Sequence, residues 1–171
     1  FSDEAAWDKT ADQQFAAMAA LGLHFTCLRF IDMGNGVKNA MQLTDEEVAA
    51  CVDKLTQYGL AVSSLGSPLG KVKLLDLEDG TKNRFVPFES YLEGEVTHAC
   101  RLAQALGTKL IRGFSFYHPK GEAPESHLAL AAEYLGRIAD RCAEFGLIYG
   151  LEVEANLIGQ NGPTMAALHE Q

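Results

Sequence analysis

The chain has 171 residues, the size of one ordinary domain, with 47% hydrophobic and 22% charged residues; that balance excludes disordered, collagenous and coiled-coil chains. Fourteen basic against 23 acidic residues leave a net charge of −9, a field that repels phosphate backbones and anionic membrane surfaces, so neither nucleic acid nor a membrane is expected as a partner. Cys27, Cys51, Cys100 and Cys142 lie far apart with no zinc-like spacing and read as reduced thiols of a cytoplasmic protein.

In chain order, a first helical stretch ends at Gly22, and LHFTCLRF follows as a strand near residues 24–31 before the loop DMGNG. Thr44 opens TDEEVAACVDKL as a capping box with Glu47 three residues on, and Val48, Cys51, Val52 and Leu55 recur at helical spacing. That helix ends at Gly59; a strand over 60–65 then leads into SLGSPLGK. FESYLEGEVTHACRLAQAL predicts a helix up to Gly107, followed by a strand over 109–114 and the loop FSFYHPKG. In SHLALAAEYLGRIADRCAEF, residues Leu128, Ala131, Ala132, Leu135, Ile138, Ala139 and Cys142 form one apolar stripe that runs to Gly146. A strand over 147–153 leads to EANLIGQNG, and PTMAALHEQ begins another helix.

The four junction glycines are 37, 48 and 39 residues apart, about one strand–loop–helix unit each, and each suits the positive φ of a helix C′ position. The strands are largely apolar, as expected of parallel strands buried on both faces, and no two-residue hairpin turn is evident between them. Alternating helices and strands predict a parallel α/β sheet with right-handed crossovers. No GxGxxG or GxxxxGK[ST] follows a strand, which argues against a nucleotide-binding open sheet. The polar, glycine-rich segments all follow strands while the helix-to-strand links are short, and this asymmetry favours a (β/α) barrel with its functional face after the strands. A complete barrel needs about 250 residues, so the chain is expected to be a single domain over 1–171 that is truncated at its C-terminus and just before Phe1.

Chemistry concentrates at the last strand. In IYGLEVEAN, Gly150, Glu152 and Glu154 share one face by the period of two. Two carboxylates on an apolar strand need a cation: either a divalent metal, or an arginine for Glu152 with Glu154 already in the loop. Arg112, closing the preceding strand, could hold a carboxylate, phosphate or sugar hydroxyl, or neutralise Glu152. Phe114, Phe116 and Tyr117 read as packing or as a sugar-stacking wall, and His118 as a solvated loop residue or a ligand. Ser63, Ser64 and Ser67 could offer hydroxyls to a polyol, with Lys71 steadying an anionic group; SPLG also reads as a plain turn. Arg29 and Asp32 read as a structural ion pair, Trp7 as a packing or loop residue or one that faces a sugar, and His98, His127 and His169 as solvated. No GxSxG elbow is present, and no cysteine has a neighbour that would lower its pKa.

AALGLHFTCLRFID, LTQYGLAVSSLGSPLGK, ALGTKLIRGFSFYHPKG and AEFGLIYGLEVEANLIGQNG, in this order and spacing, resemble the second to fifth strand units of the xylose-isomerase-like TIM barrels, the sugar phosphate isomerase/epimerase superfamily that includes endonuclease IV. The resemblance implies an incomplete barrel, about strands 2–5 of eight. It further implies that Glu152, six residues after Gly146, is a metal ligand and acid/base catalyst, with Glu154, Arg112, Ser64, Lys71 and Phe116 on the substrate side. The implied cofactor is a divalent metal (Mn, Mg, Co or Zn) with no organic cofactor, and the implied partner is a small sugar or polyol, with a homo-oligomer possible through unpaired strand edges. The implied activity of the full-length protein is metal-dependent isomerisation or epimerisation of a sugar, polyol or sugar phosphate by proton transfer α to a carbonyl. A metal-dependent lyase or dehydratase acting on a sugar acid is one alternative, and a non-catalytic half-barrel binding module is another. The remaining ligands come in that family from later strands, so the 171-residue chain alone is expected to be inactive.

Overall fold

The structure, a computed structural model, describes residues 2–3 and 6–171. Helix α1 (Ala11–Ala20) leads to β1 (Phe25–Leu28), and a short antiparallel pair, β2 (Phe30–Asp32) and β3 (Val37–Asn39), precedes α2 (Asp45–Gln57) and β4 (Ala61–Gly66). Then come α3 (Phe88–Tyr91), a π-helical turn over Leu92–Val96, α4 (Thr97–Ala105), β5 (Leu110–Gly113), α5 (Leu128–Glu144), β6 (Ile148–Leu151) and α6 (Gly162–His169). Strands β1, β4, β5 and β6 form a parallel sheet in that order, with β1 and β4 paired from Phe25 opposite Ala61 to Leu28 opposite Leu65. Each strand of this sheet is separated from the next by helix, so the expected α/β architecture of barrel-type units is the observed one. All four junction glycines have φ between +66° and +72°.

Three expectations are corrected by local chemistry. The first strand is split at Arg29, and the chain folds back as a hairpin because Asp32 Oδ1 accepts the Gly34 amide at 2.7 Å, while Gly34 and Gly36 supply positive φ. Arg29 pairs with Asp3, Nε to Oδ1 at 3.0 Å, rather than with Asp32. The long helix after residue 87 carries a π turn in which the Thr97 hydroxyl donates to Leu92 O at 3.0 Å.

The chain divides into two compact units. The first comprises Phe1–Ser67, His98–Ile111 and Phe145–Leu147. Its core is built from Phe15, Met18, Leu28, Ile31, Cys51, Leu65 and Ile111, all buried. Its strands alternate, with Thr26, Leu28, Val62 and Ile111 buried while Phe25 (60% exposed), Ala61 and Leu110 open outward. Among the described residues, the strand face that carries Phe25, Ala61 and Leu110 is exposed.

Helix α2 begins as its sequence dictates. The Thr44 hydroxyl accepts the Glu47 amide at 3.2 Å, and Glu47 Oε2 accepts the Thr44 amide at 3.0 Å. The same carboxylate takes Lys38 Nζ at 2.6 Å and Asn35 Nδ2 at 3.2 Å. The Lys38 bond, with help from the Thr44 amide and Asn35, lowers the Glu47 pKa from 4.5 to about 2. A lowered carboxylate pKa stabilises the fold above its ordinary value, and that contribution disappears as pH falls through the folded one. Urea midpoints of the native chain and Glu47→Gln should therefore differ most above pH 4.5 and converge as the pH approaches 2. A gap that stays constant over this range would contradict the assignment.

The second unit comprises Pro68–Thr97, Arg112–Glu144 and Ile148–Gln171. Its core holds Leu69, Tyr91, Phe114, Phe116, Ile138 and Leu157, each at most 2% exposed. Helix α5 buries Ala131, Leu135, Ile138 and Cys142 of its predicted stripe. Arg137 is bidentate to Glu89, with both contacts at 2.7 Å, and Arg141 donates to Glu93 and to the Thr97 hydroxyl, each at 2.7 Å.

Candidate active site

The site is built on Phe114, which follows β5 in the second unit and is fully buried. Arg112 shares its parity on the strand, which places both side chains on one face. The Arg112 guanidinium stands 4.7 Å from the Phe114 ring centroid, and the Lys71 ammonium stands 4.2 Å from it. One ring thus carries two cations, a contact worth roughly 0.5–2 kcal/mol each in comparable sites. Each cation holds a carboxylate: Lys71 Nζ meets Glu154 Oε2 at 2.7 Å, and Arg112 Nε meets Glu152 Oε2 at 3.5 Å.

The two pairs differ. Lys71–Glu154 is the closer one and is partly shielded, whereas the Glu152 side chain is 52% exposed and its contact is long. An exposed pair at that distance contributes little energy and breaks readily. Glu152 is therefore the more loosely held of the two carboxylates.

The backbone beneath is tightly held. Tyr149 lies across Gly113, and its hydroxyl accepts the Phe114 amide at 3.1 Å and faces the carbonyls of Phe114 (3.1 Å) and Leu69 (3.3 Å). Burial pushes this phenol well above its ordinary pKa, so it remains a donor. Phe114 N also donates to Leu69 O at 2.7 Å, and Phe116 N to Gly70 O at 3.0 Å. The Tyr91 hydroxyl accepts Gly70 N at 2.7 Å. Glu152 N donates to Gly113 O at 2.9 Å, fixing the first residue after β6 to the end of β5.

Of the residues singled out in the sequence, Glu152, Glu154, Arg112 and Lys71 come together. Both glutamates lie beyond β6, which ends at Leu151, two residues earlier than expected. Phe116 is 2% exposed at φ 72°, stands edge-on to Tyr134 with ring centroids 6.1 Å apart, and borders a small cavity of about 140 Å³. Ser64 is half-buried on β4 in the first unit. In that unit the Ser63 hydroxyl donates to Thr26 O at 3.0 Å, and Trp7 is fully exposed. SPLG is a turn, with Lys71 N donating to Pro68 O at 3.0 Å. Phe114, read from the sequence as packing or a sugar-stacking wall, carries two cations instead, and the Tyr149 clamp was not singled out; the parity shared by Arg112 and Phe114 was the available signal.

Carboxylate oxygens suit a hard divalent cation, but such an ion takes several protein ligands. Among the described residues, no group of three His, Cys, Asp or Glu side chains is arranged to hold one, and both glutamates here already face cations. The described residues therefore do not complete a metal site on their own.

The xylose isomerase-like TIM barrel family matches the sequence over residues 15–170. The chain belongs to that family. This barrel chain matches solved structures of the same fold. Over 98% of its length it aligns with the IOLI protein, a structure with a bound zinc atom (TM-score 0.70, 11% identity, 56% of that chain covered). Over 96% it aligns with D-allulose 3-epimerase from Methylomonas sp. in complex with D-allulose (TM-score 0.64, 21% identity, 55% covered). Over 94% it aligns with a xylose isomerase-like TIM barrel protein from Mycobacterium smegmatis in complex with magnesium (TM-score 0.63, 16% identity, 51% covered). The chain thus spans about half the length of these barrels. A search of curated proteins found no significant match. Among the described residues no helix is long and apolar enough to cross a membrane.

Proposed function

We propose that the whole protein is a sugar isomerase or epimerase in which Glu152 moves the proton on the carbon beside a carbonyl. The observation that carries this reading is the loosely held Glu152 beside Arg112, at the C-terminal end of a barrel strand, where this fold keeps its chemistry. Glu152 takes the proton from the α-carbon, and the electron pair moves onto the carbonyl oxygen to give an enediolate. Arg112 offsets the negative charge that builds up. Return of a proton to the opposite face of the same carbon gives the epimer, and return to the neighbouring carbon gives the isomer. Lys71 and Glu154 are assigned to the hydroxyls of a sugar or polyol.

The relatives named above that hold magnesium, zinc and a ketose support a divalent ion and a small sugar for this protein too. Glu152 would contribute one ligand, with the others from outside the described residues, so the 171-residue chain is assigned no turnover by itself. The test is solvent exchange: the whole protein, incubated with ketohexoses and ketopentoses in D2O, should place deuterium on the carbon beside the carbonyl. Product formed without any deuterium, or no exchange with any ketose, would refute the reading.

A further inference from the structure

The second unit contains a hollow of about 630 Å³ that the chemistry above does not use, within the size range of small-molecule sites. Thr81 and Asn83 line it from the loop after β4, Tyr117, His118 and Lys120 from the loop after β5, and Asn156 from the loop after β6. The same loops carry the Glu152 site, with Lys71 in the first, Phe114 in the second and Glu154 in the third. In each loop the site residue comes first, so the hollow lies farther along the chain from the strand ends. Backbone bonds hold it in shape. Tyr117 N donates to Val72 O and Leu74 N donates to Tyr117 O, each at 3.0 Å, and Ile158 N donates to Phe116 O at 3.0 Å. Phe116 and Asn156, at φ 72° and 67°, are the non-glycine residues with positive φ among the described residues; one precedes Tyr117 and the other lines the hollow. Backbone held in that region costs energy, and such residues collect where a ligand is clamped.

What the hollow offers is a mixture of donors and acceptors. No carboxylate lines it, and Lys120 is exposed. Asp79 takes up the nearby donors: it accepts the Thr81 amide at 3.0 Å, the Thr81 hydroxyl at 2.7 Å and the Lys120 amide at 3.3 Å, and it pairs with Lys73 at 2.8 Å. His118 Nδ1 donates to Pro119 O at 3.0 Å, so Nε2 keeps a lone pair and accepts. An oxyanion, which only accepts, is poorly matched to such a lining. Among the described residues the Tyr117 hydroxyl and the Asn83 and Asn156 side-chain amides have no hydrogen-bond partner. Each of these three groups both donates and accepts. A ligand that answers them carries several groups of the same dual kind, as the hydroxyls around a sugar ring do. The rings of Tyr117 and His118, both half-buried, suit the apolar C–H face of that sugar.

We propose that this hollow holds a neutral sugar ring, the non-reducing unit of a disaccharide whose ketose end reaches Glu152. The ketose end rests on the isomerase reading, whereas the ring in the hollow does not. The first arm titrates the whole protein with the methyl glycosides of D-glucopyranose, D-galactopyranose and D-mannopyranose, observed by saturation-transfer NMR. Saturable binding of at least one is expected, at least threefold weaker in Asn83→Ala and in Asn156→Gly and about tenfold weaker in the double variant. Neither side chain holds another residue, and glycine is at home at the Asn156 φ of 67°, so these variants keep their fold. Binding of none of the glycosides, or equal affinity in the native protein and the double variant, would overturn the subsite. The second arm follows solvent exchange with D-fructose, lactulose, maltulose and isomaltulose. At least one disaccharide should exceed D-fructose in kcat/KM, and the double variant should lower that ratio at least tenfold. Disaccharides that are all poorer than D-fructose, or a ratio that the double variant does not move, would overturn the assignment to the substrate. Because the first arm reads binding without turnover, failure of the Glu152 chemistry leaves its result standing.

Discussion

In the whole protein, Glu152→Gln should lower kcat by about 10²- to 10⁴-fold, the range over which a positioned acid/base group contributes. The substitution keeps the shape of the side chain and removes only its charge and basicity. Its cost to the fold should be small, because Glu152 is half-exposed and its ion pair with Arg112 is a long 3.5 Å contact. A loss of rate with the thermal midpoint preserved therefore reports chemistry. Glu154→Gln is the informative comparison. Glu154 is held by Lys71 at 2.7 Å, so its loss should raise KM more than it lowers kcat. Turnover within threefold of native in Glu152→Gln, with sugar and assay unchanged, would remove Glu152 from the acid/base role.

Much of this arrangement is readable before any fold is known, because its signals are local. The helix-ending glycines, the Thr44–Glu47 box and the parity that joins Gly150 to Glu152 all act over one to four residues. The proximity of Arg112 and Glu152 follows one step later, from neighbouring strands that end together. What local pattern does not carry is the choice of partner across distance. Lys71 and Glu154 are far apart in sequence, and nothing in SLGSPLGK says that its lysine lies over Phe114. Arg29 finds Asp3 rather than Asp32 because the Asp32 carboxylate is turned back onto the Gly34 amide. The strands looked doubly buried from composition alone. A side chain such as Ile148, 63% exposed, shows that hydrophobicity reports the face a residue is suited to, whatever covers it.

Gly70→Ala should be the most damaging small substitution in the second unit, costing at least about 3 kcal/mol and leaving much of that unit unfolded. Gly70 has φ +86°, a conformation that penalises any Cβ, and the added carbon would lie 1.9 Å from the Phe114 carbonyl oxygen and 2.4 Å from its carbonyl carbon. Those are backbone atoms held on both sides. Phe114 N is bonded to Leu69 O, Phe116 N to Gly70 O, and Gly70 N to the Tyr91 hydroxyl, so the clash has no side chain to push aside. Relief would require moving Phe114, and with it the ring that supports both Lys71 and Arg112. Gly136→Ala is the control, since Gly136 lies within α5 and its new carbon would have nothing within 4 Å to meet. Urea unfolding of the two variants should separate them by well over 1 kcal/mol, with Gly70→Ala the weaker. Equal midpoints would mean that the Gly70–Phe114 approach is not a fixed part of the fold, and the platform for the four charged side chains would lose its support.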